Sequence, residues 1–170
     1  MIEIKDFSLP PAGRWVHVDL QQQTLTLKRG SHELHSWSVS TALNGAGEQE
    51  GSGCTPRGWH RIRIRIGDGE PLNTVFVGRR PSGEIWSQKL ADAFPDRDWI
   101  LTRILWLTGV DSVHNRGGNH DTLRRYIYIH GTPDDQPMGI ARSHGCVRMR
   151  NKELVQLFDQ VENGTLVHIE

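Results

Sequence analysis

The first third of the chain alternates apolar and polar residues with a period of two, which is typical of half-buried β-strands. The alternation runs over residues 14–20, 24–28 and 33–40, and short polar turns separate these runs. Residues 43–53 are rich in glycine, which predicts a surface loop. Residues 60–66 alternate again, with isoleucines on one side of the predicted strand and arginines on the other. These short runs predict antiparallel β structure.

The rest of the chain adds further strands and one helix. Residues 99–107 form a strong apolar run, residues 125–129 predict a strand, and residues 165–169 predict a last one. The helix begins at Asn151, a residue type that can cap a helix N-terminus. Its apolar stripe consists of Leu154, Val155, Leu157, Phe158 and Val161. The predicted fold class is mostly β (α+β), and residues 1–170 are predicted to form a single domain.

Charge and hydropathy exclude two broad classes of protein. The 170 residues carry 20 basic and 20 acidic side chains, and this neutral balance argues against a sequence-independent nucleic-acid binder. The mean hydropathy is −0.52, and no apolar run approaches the roughly 18 residues of a membrane span. The basic residues are 16 Arg and 4 Lys. That bias reflects a GC-rich genome, a preference for arginine on exposed strands, or a surface that binds acidic ligands.

The N-terminal residues and the cysteine content bear on location. The segment MIEIKDFSLPPAG has neither the basic nor the apolar region of a signal peptide. Two cysteines cannot form a disulfide framework. We therefore expect a cytoplasmic protein, or a periplasmic one if a leader was removed.

Candidate chemistry lies in two short segments, Ile129-His130-Gly131-Thr132 and Ser143-His144-Gly145-Cys146-Val147-Arg148-Met149. Cationic neighbours and the start of the following helix are expected to lower the pKa of the Cys146 thiol. A histidine at a strand end, such as His130, can act as a base toward a cysteine on a nearby loop. Glycine beside a nucleophile lets backbone N–H groups approach an oxyanion. The pattern by itself leaves open a structural cysteine with incidental histidines.

The two segments together resemble the signature of the L,D-transpeptidase (YkuD-like) catalytic domain. That signature is a His-Gly, a spacer, and Ser/Thr-His-Gly-Cys followed by a hydrophobic residue and Asn or Arg. The turn Thr55-Pro56-Arg57-Gly58 and the closing helix and strand are also similar to the family. The resemblance covers about residues 14–169 and is weakest over residues 68–120. It implies a β-sandwich of mixed sheets with one main helix after the catalytic cysteine loop.

The resemblance also implies a role for each matched residue. Cys146 matches the nucleophile, His130 matches its base, and the Gly131 carbonyl matches the group that orients the imidazole. The oxyanion hole and its support match the residues before Cys146, namely Ser143, His144 and Gly145. No metal and no organic cofactor is implied.

Three further residues have more than one interpretation. Arg148 stands where many members of the family have Asn, and it either holds a substrate carboxylate or fixes the loop. The loop 115–121 could fold over the cleft and bring Arg116 to the substrate, although a plain connecting loop is the favoured interpretation. Cys54 has no His-Gly partner pattern and is expected to be a bystander thiol.

The family implies acyl transfer on peptidoglycan stem peptides. The thiolate would attack the L-centre carbonyl of meso-diaminopimelate in a tetrapeptide stem and release the terminal D-Ala. Without an export signal, we expect an L,D-carboxypeptidase that acts on murein tetrapeptides or muropeptides in peptidoglycan recycling. The alternative is an L,D-transpeptidase that cross-links peptidoglycan in the periplasm. A β-lactam of the carbapenem class is the expected covalent inhibitor, and neither nucleic acid nor membrane is an expected partner.

Two other functional classes remain as alternatives. A metal hydrolase would need a ligand set from His114, His120, His130 and His144, whose spacing fits no zinc motif. A wall-binding module without catalysis would be expected to lose the cysteine or its histidine, and both are present. The remaining strand histidines are predicted to be exposed or hydrogen-bonded structural residues: His17, His35, His60 and His168.

Overall fold

The computed structural model describes residues 10–170, which form ten strands, two α-helices and one 3-10 turn at Gly118–His120. The first six strands are β1 (Arg14–Asp19), β2 (Thr24–Arg29), β3 (His32–Ser38), β4 (Gly58–Ile66), β5 (Thr74–Val77) and β6 (Arg80–Ile85). The remaining elements are α1 (Gln88–Ala93), β7 (Leu101–Gly109), β8 (Tyr128–Gly131), β9 (Val147–Met149), α2 (Asn151–Phe158) and β10 (Leu166–Ile169). No helix within this range is long and apolar enough to cross a bilayer.

The strands form one hydrogen-bonded network of mixed direction. Its main path runs β3-β2-β1-β10-β4-β7-β5-β6, and β8 branches from β7 and carries β9 at its other edge. The pairs β1–β10 and β8–β9 are parallel, whereas the other pairs are antiparallel. The predicted mostly-β class with mixed sheet structure is confirmed.

The core forms where alternate strand residues meet helix α2. Val16 and Val18 of β1 point into it, and Leu105 and Leu107 of β7 pack from another part of the sheet. The helix stripe contributes fully buried Leu154, Leu157 and Phe158, while Val155 is only half-buried. Burying one such side chain is worth about 1.5–3 kcal/mol. The helix is therefore held against the sheet by its packing, and this fixes the chain directly after the candidate nucleophile.

The prediction that Asn151 caps this helix was wrong. Asn151 is the first helical residue, Arg150 precedes it as the cap, and no side chain caps the helix. The Asn151 side chain is buried and bonds to the loop after β8 instead. Tertiary hydrogen bonds therefore replaced the local capping interaction that the residue type suggests.

The predicted strand at residues 125–129 is shifted toward higher numbers. Tyr126 has a left-handed φ of 56°, so the regular strand begins only at Tyr128 and continues to Gly131. The β5–β6 hairpin and α1 were not predicted in full. The hairpin turns through Gly78 and Arg79, both with positive φ, and arginine is not a residue type that signals such a turn. Helix α1 buries no residue, so it lacks the buried apolar stripe by which α2 was predicted.

Candidate active site

The parallel pairing of β8 with β9 brings the two candidate segments side by side. Ile129 pairs with Val147, and both are fully buried in the core. Because side chains alternate along a strand, His130 and its register partner Arg148 lie on the opposite face of this pair. Cys146 directly precedes β9 and lies beside Tyr128, whose backbone N–H donates to the Cys146 Sγ at 3.3 Å. The thiol and the imidazole therefore belong to one face.

A tight loop of residues 143–146 fixes the position of Cys146. Gly145 has φ +134°, and a Cβ there would meet the Ile127 Cδ1 at 3.1 Å and the Cys54 carbonyl oxygen at 3.2 Å. The Ser143 hydroxyl accepts from the Gly145 N–H at 3.2 Å and donates to the Cys146 carbonyl. The buried Thr55 hydroxyl donates to the Gly145 carbonyl at 2.9 Å. Glycine is required at position 145 both by its backbone conformation and by these close neighbours.

These contacts separate supporting groups from candidate oxyanion donors. The Gly145 N–H is already bonded to Ser143, so Ser143 and Gly145 support the loop. The Cys146 N–H makes no hydrogen bond within residues 10–170, which leaves it as the candidate donor to an oxyanion. The His144 side chain is exposed and lies 3.8 Å from the Asp98 carboxylate.

The Cys146 thiol is protonated in the resting site. Its Sγ donates to the Tyr126 carbonyl at 3.4 Å and packs among Phe76, Ile104 and Tyr128. Burial raises the thiol pKa to about 11, and the positive charge of Arg148 opposes this only in part. Arg148 and Arg125 do lower this pKa, as the sequence suggested, but the loss of solvation outweighs them and the net shift is upward.

His130 is arranged to act as a neutral base. The residue is buried, and its Nδ1–H donates to the Gly131 carbonyl at 2.6 Å, which leaves the Nε2 lone pair as the acceptor. Burial lowers the imidazole pKa, so the ring is neutral at pH 7. The resting thiol is bonded to the Tyr126 carbonyl, so rotation of Sγ away from that carbonyl must precede proton transfer to His130.

Asn151 clamps the segment that follows His130. Its Nδ2 donates to the Thr132 carbonyl at 2.8 Å, and its Oδ1 accepts from the Thr102 hydroxyl at 2.6 Å. A Cβ on Gly131 would collide with that Asn151 oxygen and with the Leu101 carbonyl. Gly131 is therefore needed for space, and the clamp holds Thr132, the residue directly after the Gly131 carbonyl that orients the imidazole.

A cavity of about 420 Å³ lies beside this face. Arg148 lines it, but its guanidinium is largely buried and pairs with Asp98 at 3.2 Å, which favours the loop-fixing interpretation. Arg142 also lines the cavity and is exposed. Within residues 10–170 its guanidinium forms no ion pair with a carboxylate. The available cation is therefore Arg142, which the sequence analysis did not assign to the site.

Arg116 and Cys54 lie at the edge of this arrangement. Arg116 is exposed and does not line the cavity. Its loop instead contacts residues 43–53, since the Glu50 N–H donates to the Asn119 carbonyl at 2.7 Å. The Cys54 thiol points to the Asn44 and Ser52 carbonyls. The Cys54 backbone carbonyl is the part that meets the site, because it contacts Gly145 and accepts from Arg125 at 2.6 Å.

The histidines named for the metal-hydrolase alternative do not converge. His114 pairs with Asp111, His144 lies near Asp98, and His130 bonds to Gly131. Among the described residues, none of them belongs to a group of three close ligand atoms.

Comparison with known proteins assigns the family. The family model of the L,D-transpeptidase catalytic domain (YkuD) matches residues 13–169. The chain belongs to this family. The crystal structure of the L,D-transpeptidase (residues 123–326) from Xylanimonas cellulosilytica superposes with a TM-score of 0.60 at 18% identity, covering 94% of this chain and 61% of that one. L,D-transpeptidase 3 from Mycobacterium tuberculosis, in complex with a faropenem-derived adduct, gives a TM-score of 0.56 at 16% identity, with 94% and 60% covered.

Curated relatives in this family match over a short segment. The putative L,D-transpeptidase YkuD of Bacillus subtilis is 44% identical over 46 residues, which are 27% of this chain and 28% of the relative. The probable L,D-transpeptidase YbiS of Escherichia coli K12 is 44% identical over 45 residues, 26% of this chain and 15% of the relative. The match thus spans less than a third of either relative's length.

The raised thiol pKa predicts how this member of the family reacts without substrate. The alkylation rate of Cys146 by iodoacetamide should rise about tenfold per pH unit from pH 7 to 10, because only the thiolate reacts and the thiol pKa is about 11. Peptide mass spectrometry would follow the modification of Cys146, with Cys54 as an internal comparison. A rate that levels off below pH 8 would contradict the prediction and indicate a thiolate–imidazolium pair.

Proposed function

We propose that the protein is a cysteine-dependent L,D-carboxypeptidase that removes the terminal D-Ala from murein tetrapeptide stems. One observation carries the proposal. The His130 Nδ1–H is committed to the Gly131 carbonyl, so Nε2 is the acceptor on the face that also holds Cys146. An imidazole fixed in this tautomer is suited to take a proton from a thiol and return it to a leaving amine.

In the proposed mechanism, His130 Nε2 accepts the thiol proton as Sγ forms a bond to the carbonyl carbon of the stem. The carbonyl π electrons move to oxygen, and the Cys146 N–H donates to the resulting oxyanion. Collapse of this intermediate breaks the C–N bond, and the imidazolium returns its proton to the departing D-Ala amine. A water molecule then attacks the thioester, with His130 as base, and the released stem is a tripeptide.

The charge of the cavity supports a zwitterionic stem as the substrate. Arg142 offers a cation without a carboxylate partner in the described chain, and Asp96 and Asp135 line the same cavity. A stem that contains diaminopimelate carries carboxylates as well as an amine. Its carboxylates could therefore pair with Arg142, and its amine with Asp96 or Asp135. Arg148 is held by Asp98 and would act through the loop rather than by binding the stem directly.

Water is proposed as the acceptor because hydrolysis needs no second peptide site. The second candidate is L,D-transpeptidation, which proceeds through the same thioester and differs only in the amine that attacks it. Both cysteines are free thiols, which a reducing compartment preserves, and we propose the cytoplasm as the location. Cell fractionation with an antibody would test this location.

Product analysis tests the proposed reaction. The purified chain is incubated with a disaccharide-tetrapeptide, with and without an added D-amino acid as amine acceptor, and products are identified by mass spectrometry. We expect a tripeptide and free D-Ala as the main products in both mixtures. Cross-linked dimers or amine-exchanged stems without tripeptide would instead establish the transpeptidase, and an unchanged substrate would refute both reactions.

A carbapenem provides an independent probe of the same nucleophile. Family structures include L,D-transpeptidase LdtMt1 in complex with imipenem. We propose that imipenem acylates Cys146 of this chain and adds its mass to the intact protein. The Cys146→Ser variant serves as the matched control for the site of attachment.

A further inference from the structure

A second cluster of polar side chains lies on strands β1 and β10, away from the catalytic segments in the sequence. The parallel register pairs His17 directly with His168. The residues on either side of each histidine, such as Val16 and Val167, are fully buried in the core. Both histidines therefore lie on the opposite face of the sheet. Glu170 follows His168 by two positions and falls on the same face.

The three side chains converge on a common point. The Glu170 carboxylate lies within ion-pair distance of both imidazoles, with Oε1 at 2.7 Å from His17 Nε2 and Oε2 at 3.9 Å from His168 Nδ1. The three ligand atoms lie within 4.8 Å of one another. Zinc binds imidazole nitrogen and carboxylate oxygen at about 2.0–2.2 Å, so a tetrahedral site separates its ligands by about 3.3–3.5 Å. Small side-chain rotations would bring these atoms to that spacing.

The backbone holds the cluster in place. The Glu170 N–H donates to the Val18 carbonyl at 3.0 Å, and the Glu170 carbonyl accepts from the Leu20 N–H at 2.8 Å. The two imidazole rings stack at 6.0 Å with an interplanar angle of 15°. Strand pairing thus presets the separation of the ligands, and little backbone entropy remains to be lost on binding an ion.

Aromatic neighbours confine the two imidazoles without closing the cluster. The Trp59 ring lies 4.5 Å from the His168 ring, and the Trp15 ring lies 6.0 Å from the His17 ring. The His17 and His168 side chains are 19% and 24% exposed, and Glu170 is 59% exposed. An ion can therefore enter from the Glu170 side, where a water molecule would complete its coordination.

We propose that His17, His168 and Glu170 form a site for a divalent transition-metal ion, with Zn²⁺ as the ion that suits two imidazoles and one carboxylate. The site would join β1 to β10, the parallel pair that connects strands β1 to β3 to the rest of the sheet. Because the ligands converge only in the folded chain, the bound ion would stabilise that state. Two histidines that the sequence suggested to be structural residues would thereby serve as metal ligands.

Calorimetric titration with ZnCl₂ tests the site. All variants carry Cys146→Ala in the full chain, because a free thiol can itself bind zinc and would obscure the titration. We expect one ion per chain and a rise in the unfolding temperature with zinc. His17→Ala and His168→Ala should each weaken binding by about tenfold or more. Glu170→Gln, an exposed and nearly isosteric change, should weaken it similarly and provides the measurement if a histidine variant does not fold.

The matched control is His114→Ala, which removes an imidazole paired with only one carboxylate, Asp111, at 2.6 Å. This variant should bind zinc as the parent does. Co²⁺ supplies a second readout, since tetrahedral coordination by nitrogen and oxygen gives intense visible absorption bands. The proposal is overturned if no saturable one-to-one binding occurs. It is equally overturned if His114→Ala weakens binding as much as His17→Ala, or if Glu170→Gln and His168→Ala leave it unchanged.

Discussion

Replacing Cys146 with serine is expected to reduce the rate of stem cleavage by at least about 10⁴-fold and to abolish the acyl-enzyme. The serine hydroxyl is nearly isosteric, so it can occupy the same space beside Tyr128. Its pKa lies far above that of the thiol, and His130, whose own pKa is lowered by burial, is too weak a base to compensate. Cleavage of tetrapeptide and intact-protein mass after exposure to imipenem would measure the two effects.

Cys54→Ser is the matched control for this loss. The Cys54 thiol points away from the site toward the Asn44 and Ser52 carbonyls, and only its backbone carbonyl meets Gly145. The Cys54→Ser variant should therefore keep its activity within a few-fold of the parent. Loss of activity in both variants, or in Cys54→Ser alone, would refute the assignment of Cys146 as the nucleophile.

Replacing His130 with glutamine should lower kcat/KM by about 10³-fold, because general acid–base catalysis typically contributes this much. Glutamine can fill part of the buried space but cannot take the thiol proton. The expected effect lies in kcat rather than in substrate affinity, since His130 is not among the residues that line the cavity. Steady-state kinetics with the disaccharide-tetrapeptide would measure both constants.

The pH profile distinguishes a lost base from a distorted site. Burial lowers the pKa of His130, so protonation of this base should reduce the parent's activity only below the ordinary imidazole value of about 6.5. That acidic limb should vanish in His130→Gln, while His114→Gln should retain both the limb and the rate. An acidic limb that persists unchanged in His130→Gln would show that another group is the base.

Local pattern was enough to predict most strands and the main helix. Period-two alternation marks residues whose faces differ in burial, and β1 agrees with it closely. Strand β2 instead buries three successive residues, Leu25 to Leu27. In β4 the predicted buried isoleucine face ends at Ile62, because an irregularity in the pairing leaves Ile64 exposed and Arg65 packs over the Phe158 ring. Elements without an apolar pattern escaped this reasoning. The β5–β6 turn uses Arg79 at positive φ, and helix α1 buries no residue, so its local signal is limited to the cap residue Ser87.

The candidate site likewise combines residues that the sequence indicated with residues that only the fold brings to it. The pair His130-Gly131 and the Ser-His-Gly-Cys segment are contiguous in the sequence, so their residue types and order already indicate a nucleophile, a base and its orienting carbonyl. Residues that meet these segments from distant parts of the chain gave no comparable signal. Asp98 restrains Arg148, the Tyr126 carbonyl holds the resting thiol, and Thr55 supports Gly145. Only Thr55 had a signal available, since it lies in the Thr-Pro-Arg-Gly turn.

The sequence by itself determined which side chains this protein can use for chemistry, the family that it resembles and the periodicity of its strands. Only the tertiary structure decided the ionisation of the thiol, the pairing of Arg148, the task of Asn151 and the convergence of His17 with His168 and Glu170. The physical reason is that charge state and hydrogen bonding depend on burial and on neighbours brought together by strand pairing. Solvation of a thiol or an imidazole changes with the packing around it, which a linear pattern of residue types does not specify.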